Sequence, residues 1–100
     1  MRTISIMGAT GSVGTSTLDL VRRDPTGWRV VALSANCSAG ELAALAREFG
    51  TEIAILADEN CLPELRDALA GSGVEAAGGE RALIEAAARP VDIFVAAIVG

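Results

Sequence analysis

The sequence has no histidine, only two cysteines and only three aromatic residues in 100. Without histidine, and with Cys37 and Cys61 far apart in the chain, a zinc site built from these residues alone is not expected. The two cysteines read as reduced thiols in a cytosolic protein. With so few aromatics the core must be aliphatic and alanine-rich. Basic residues are also scarce, 8 against 13 acidic, for a net charge of −5. That argues against nucleic acid as the main partner, because phosphate-backbone binding relies on clustered Lys and Arg. No apolar run approaches the ~20 residues that span a bilayer. The short run after Met1-Arg2 meets glycine at once, too early for a signal-peptide core. The expectation is a cytoplasmic domain with no membrane partner.

What is present is a chain that is 51% hydrophobic, of a size for one core. Gly8-Ala9-Thr10-Gly11-Ser12-Val13-Gly14 follows the apolar run Ile4–Met7 and leads into an amphipathic stretch. Strand, glycine turn and helix N-terminus in that order make a place for a pyrophosphate. The first amides of the helix are free, its dipole favours negative charge, and glycines admit the ligand closely. Thr10 and Ser12 add hydroxyl donors. The spacing is G-x-x-G-x-x-G rather than G-x-G-x-x-G, and no lysine follows Gly14, which excludes a Walker-type loop. A Gly14→Val change is expected to abolish binding while leaving most of the fold.

Strand and helix patterns alternate to the end. The expected strands are Thr3–Met7, Trp28–Ala35, Ile53–Leu56, a weak edge Val74–Ala76, and a final strand from Asp92 to Ala96. Helices are expected from Ser12 to Arg23, through Leu42, Leu45, Ala46 and Phe49, over Leu62–Ala70, and over Glu80–Arg89. Val13, Thr17, Leu18 and Val21 should face inward on the first; Leu83, Ile84 and Ala87 should be buried on the fourth. Ser38 and Glu41 fit a capping box, and Gly50 a C-cap. The fold class is α/β: a Rossmann-like, doubly wound parallel sheet in three αβα layers, with the last strand beside the first. Ala97-Ile98-Val99-Gly100 is apolar directly after a central strand, and the expectation is the first part of a longer protein.

An NAD site offers an acid at the end of the second strand to bond the ribose diol. Here the segment is Ser34-Ala35-Asn36-Cys37-Ser38, with no carboxylate before Glu41. Asn36, Ser38 and the amides of the following helix could receive a 2′-phosphate instead. No Lys or Arg lies in the loop. Arg22 or Arg23 could supply the charge if the fold brings them round; otherwise they are a solvated pair at a helix C-terminus. The residue chemistry favours NADP over NAD.

The run Gly8–Gly14 followed by Thr15 and then Ser16-Thr17-Leu18-Asp19 resembles the opening of the 1-deoxy-D-xylulose 5-phosphate reductoisomerases. Trp28–Asn36 and Ala96–Gly100 resemble their later segments. The resemblance covers the whole chain but only the N-terminal part of such a protein. It implies an NADPH-binding domain (residues 1–100) of a homodimeric bacterial or plastid enzyme of non-mevalonate isoprenoid synthesis. Such enzymes isomerise and reduce a sugar phosphate, 1-deoxy-D-xylulose 5-phosphate, to 2-C-methyl-D-erythritol 4-phosphate, aided by Mg²⁺ or Mn²⁺. Carried over, Thr10, Gly11, Ser12 and Val13 would meet the pyrophosphate, Asn36, Cys37 and Ser38 the 2′-phosphate, and Ala97 and Ile98 the nicotinamide side. Metal-binding and catalytic residues belong to later parts of the family's chain, so these residues alone should catalyse nothing. The competing readings are a semialdehyde dehydrogenase-type reductase, which shares Gly-Ala-Thr-Gly, and a dinucleotide-sensing domain without catalysis.

Overall fold

In β1 (Arg2–Met7) residues alternate between two apolar layers. Ile4 and Ile6 belong to one, Met7 to the other, as the two-residue period of a strand requires. The computed structural model describes residues 1–97. After β1 come α1 (Ser12–Arg22), β2 (Trp28–Ala35), α2 (Ala39–Phe49), β3 (Ile53–Leu56), α3 (Leu62–Leu69), β4 (Glu75–Gly78), α4 (Glu80–Ala87) and β5 (Ile93–Ala96). A 3₁₀ turn, Glu59–Cys61, precedes α3. All strand pairs are parallel, in the order β4-β3-β2-β1-β5. The chain steps outward from β1 to β4 and then returns to the far side of β1. This reversal of direction opens a crevice at the carboxyl ends of β1 and β5.

Right-handed crossovers place α1, α2 and α3 on one face, and the return to β5 places α4 on the other. The side chains agree. Leu18 and Val21 of α1, Leu42 and Ala46 of α2, and Leu65 and Leu69 of α3 share one core layer. Ala86 of α4 packs with Met7, Val31, Ile53 and Ile55 in the other. Full burial of each large aliphatic side chain contributes about 1.5–3 kcal/mol, and Leu33, Leu42, Leu56 and Leu65 are all fully buried.

The pairing of β1 with β2 slips by one residue between Ile4 and Ser5. Val31 and Ala32 therefore both face the α4 layer, while Val30, Leu33 and Ala35 face the other. Such a bulge resets the alternation of everything after it. It also places Ser34 on the side that meets the glycine turn.

Asp92 registers β5 against β1. Its carboxylate accepts from the Thr3 amide at 2.8 Å and from the Thr3 hydroxyl at 3.2 Å, while its own amide donates back to the Thr3 hydroxyl at 2.9 Å. These bonds hold the Asp92 carboxyl below its ordinary pKa, the Thr3 amide contributing most.

Most boundaries follow the sequence pattern, and the exceptions are physical. The edge strand begins later, at Glu75, and α4 stops at Ala87 rather than Arg89. The inward side of α4 is Ala82, Leu83 and Ala86; Ile84 is 62% exposed and Ala87 is also exposed, contrary to expectation. The one helix on its face among the described residues, α4 covers the sheet with a narrow stripe. Val13 is likewise 57% exposed, because Gly14, Leu18 and Val21 form the inner stripe of α1. Ser38 does precede α2, but its side chain makes no cap bond, so the capping box is not formed; its ψ of 71° lies outside the usual extended cap geometry. Gly50 closes α2 in the left-handed conformation, as expected.

Candidate functional site

The glycine turn starts where β1 ends. Gly8 has φ of 87°, a backbone that side-chain-bearing residues rarely adopt. The Gly11 amide closes back on the Gly8 carbonyl at 3.3 Å, and α1 begins at the next residue. No side chain caps that helix, so its first amides remain open to a ligand. Ser34 on β2 pins the turn from beside it. Its buried hydroxyl accepts from the Gly8 amide at 3.0 Å, and its carbonyl accepts from the Ala9 amide at 2.7 Å. Ser34→Ala is expected to lower stability by about 1–2 kcal/mol through the orphaned Gly8 amide. Denaturant unfolding measures this, and an unchanged midpoint would mean that the amide finds another partner.

Gly14 has a different role from the other two glycines. A Cβ there would sit 2.4 Å from the Gly8 carbonyl oxygen and 2.7 Å from the Ala9 Cα. Its lack of a side chain lets α1 press against the turn. The sequence-based expectation that Gly14→Val would spare the fold is therefore corrected: the clash is with backbone, which cannot swing aside. At Gly11 an added Cβ would meet only the Gly8 oxygen, at 3.6 Å.

A cavity of about 400 Å³ opens beside the turn, lined by Gly8, Thr10, Gly11, Ser34, Ala35, Asn36, Ala57, Leu83 and Ala97. Gly8, Asn36, Ala57 and Ala97 are each the residue directly after a strand: β1, β2, β3 and β5. They converge because parallel strands all end on the same edge. Ladder bonds continue one step past the strands to hold them, from the Ala57 amide to Ala35 (2.9 Å) and from the Ala97 amide to Met7 (2.8 Å).

Seven of the residues singled out from sequence thus meet in one place: Gly8, Thr10, Gly11, Ser34, Ala35, Asn36 and Ala97. Ser12 and Val13 are exposed at the start of α1, outside the cavity wall, and Gly14 is buried beneath it. Cys37 and Ser38 lie just past Asn36 and do not line the cavity. Ile98 lies outside the described residues. Ala57 and Leu83 were not anticipated. Ala57 had a signal, as the first residue after a parallel strand; Leu83 had none, because its place depends on α4 crossing to the second face.

The arginines at the end of α1 do not reach the Asn36–Ser38 loop. An 11-residue helix is about 16 Å long, so Arg22 and Arg23 stand at the opposite edge of the sheet. Arg22 is engaged there by Asp19 and Glu48, with one guanidinium–Glu48 bond at 3.0 Å, and lies over the Phe49 ring at 5.2 Å. Its hydrogen bond holds the Glu48 carboxyl below the usual range.

Cys37 and Cys61 are bonded to each other, with Cα atoms 5.6 Å apart. This corrects the expectation of two free thiols. The sequence separation concealed the fact that the ends of β2 and β3 are neighbours. Asp58, Cys37 and Cys61 place one donor atom each within 4.8 Å of one another. Two sulfurs joined to each other do not fit a hard cation such as Mg²⁺, which takes oxygen ligands.

Comparison with known proteins bears on this geometry. The family model described as 1-deoxy-D-xylulose 5-phosphate reductoisomerase matches residues 4–100. A reductoisomerase of that name from Ruegeria sp. (strain TM1040) is 57% identical over 100 residues, covering 100% of this chain and 25% of that protein. One from Jannaschia sp. (strain CCS1) is 54% identical over 99 residues, with 99% and 25% covered. The solved structure of the Zymomonas mobilis reductoisomerase in complex with NADPH superposes with a TM-score of 0.97 at 46% identity, over 99% of this chain and 26% of that one. A second, in complex with NADPH, fosmidomycin and magnesium, gives 0.92 at 36% identity, over 100% and 25%. The chain spans about a quarter of the length of the curated relatives it matches.

Proposed function

The chain belongs to the 1-deoxy-D-xylulose 5-phosphate reductoisomerase family, and we propose that residues 1–100 form its dinucleotide-binding domain, with NADPH as the cofactor. The observation that carries this reading is the cavity at the carboxyl edge of the sheet, walled by Gly8, Thr10 and Gly11 beneath the uncapped start of α1. It offers open amides for a pyrophosphate and a glycine that lets it approach. Relatives whose solved structures hold NADPH support the assignment. The semialdehyde dehydrogenase and sensor readings give way to the family membership.

In this reading the pyrophosphate lies over Thr10 and Gly11, with Ser12 and Val13 offering the outer amides of α1. Ser34 and Ala35 form the floor, and Asn36, Cys37 and Ser38 surround the ribose 2′-phosphate. Ala97 and Ile98 lie toward the nicotinamide. Bound NADPH would supply a hydride; this chain's own residues bind and orient it and carry no acid or base for the reaction.

The whole enzyme would isomerise and reduce 1-deoxy-D-xylulose 5-phosphate to 2-C-methyl-D-erythritol 4-phosphate. The Mg²⁺ or Mn²⁺ would be held by its other parts, which would also form a homodimer. These residues alone would turn over nothing. Among the described residues no helix is long and apolar enough to cross a membrane, which accords with a proposed cytoplasmic enzyme.

Titrating the full-length protein with NADPH and NADH tests the cofactor. Neutral donors from Asn36, Ser38 and the start of α2 should favour NADPH by at least about tenfold, the factor for one bond to a charged group. Equal affinities would refute the role of the Asn36–Ser38 loop.

A further inference from the structure

We infer that Cys37 and Cys61 form a reversible thiol–disulfide site whose state sets how well the adjoining loop holds the ribose 2′-phosphate. This rests on the cofactor reading above, and it assigns to the cysteines a role that cofactor binding alone does not require.

The two ends of the bond differ in exposure: Cys37 is exposed and Cys61 is half-buried. On the Cys61 side the chain is anchored. The Asp58 carboxylate accepts from the Asn60 amide at 3.0 Å, and the Cys61 amide donates to the Asp58 carbonyl at 3.1 Å. The 3₁₀ turn lies so close to Gly78 that a Cβ there would come within 3.1 Å of the Glu59 Cα. On the other side, Asn36 and Ser38 are exposed, and Ser38 makes no cap bond. Backbone bonds hold the carbonyl of each loop residue, from the Asp58 amide to Asn36 (3.0 Å), from the Ala39 amide to Cys37 (2.8 Å) and from the Leu42 amide to Ser38 (3.0 Å), and leave the side chains free to move. The disulfide is the covalent tie between this exposed loop and the packed turn, added to the single backbone bond from Asp58 to Asn36. Asn36 and Ala57, which line the cavity, directly precede the two tied segments.

The cavity is open in the bonded state, so the tie is compatible with an occupied site. Fixing a binding loop in advance removes the ordering cost at the moment of binding. Opening the bond frees Cys37 and returns that cost. A low-molecular-weight disulfide such as oxidised glutathione closes the site. One cysteine thiolate displaces the first glutathione thiol, and the second cysteine attacks the mixed disulfide and releases the other. Both protein thiols lose their protons, and the two electrons leave on two glutathione thiols. A dithiol reverses the reaction.

The experiment uses the full-length protein, treated with dithiothreitol or with oxidised glutathione. Mass spectrometry after thiol alkylation reports the pairing. Fluorescence titration with NADPH and NADH reports the affinities. The expected result is a Cys37–Cys61 disulfide in the oxidised sample, and an NADPH-to-NADH affinity ratio about three- to tenfold higher than in the reduced one. Cys61→Ser, which alters no cavity residue, should show the ratio of the reduced wild type under reductant. Two free cysteines after oxidation would overturn the inference. So would a disulfide that leaves the affinity ratio unchanged. Failure to bind NADPH in either state would instead sink the cofactor reading, and this coupling with it.

Discussion

Gly14→Val is expected to lose cofactor binding and stability together. Even a single methyl at Gly14 would stand 2.4 Å from the Gly8 carbonyl oxygen and 3.0 Å from the Ala9 carbonyl carbon. Both atoms belong to a turn fixed on its other side by Ser34. The turn cannot yield without breaking those bonds, and α1 cannot retreat without uncovering Leu18 and Val21, which are 1% and 5% exposed. Overpacking of this kind costs about 3 kcal/mol. Denaturant unfolding and NADPH titration of the same full-length variant measure both effects. A variant with wild-type stability and no binding would show that Gly14 acts on the ligand and not on the packing.

Gly11→Ala should separate the two effects. Gly11 has φ of −80° and ψ of 173°, extended backbone open to any residue, and its added methyl meets nothing closer than 3.6 Å. Helix start and core should be undisturbed. The methyl would nevertheless stand in the cavity wall, where a pyrophosphate would press against the backbone. The expected result is unchanged unfolding with NADPH affinity weakened by at least about tenfold, or ~1.4 kcal/mol. Wild-type affinity would place the pyrophosphate away from Gly11 and undo the proposed pose. Together the two glycines test whether the turn is a packing device, a ligand seat, or both in different residues.

Much of the fold was legible because the residues that form it are periodic. Trp28–Ala35 and Ile53–Leu56 read as buried strands and are strands with those bounds. Leu42 and Ala46 read as the inner side of α2 and are fully buried. The turn was legible because strand, glycines and amphipathic helix follow one another without interruption. Less legible were Val13 and Ile84, whose apolar side chains fit an inward pattern yet face outward. Periodicity says that a helix has an inner side; the neighbour it meets decides which side that is.

By itself, the sequence determined the alternation of strands and helices, the place of a glycine turn at a helix N-terminus, and the want of an acid directly after β2. Those are local properties, written in residues that are adjacent or one helical turn apart. Only the tertiary structure decided the roles that depend on distant partners. The bulge in β2 turned Ser34 toward the Gly8 amide. The reversal at β1 joined Asn36, Ala57 and Ala97 into one wall. Docking of α1 on the turn made Gly14 a packing residue, and the adjacency of β2 and β3 paired Cys37 with Cys61. Each is a meeting of segments far apart in the chain. Register and crossover bring them together, and neither is carried by any one stretch of residues.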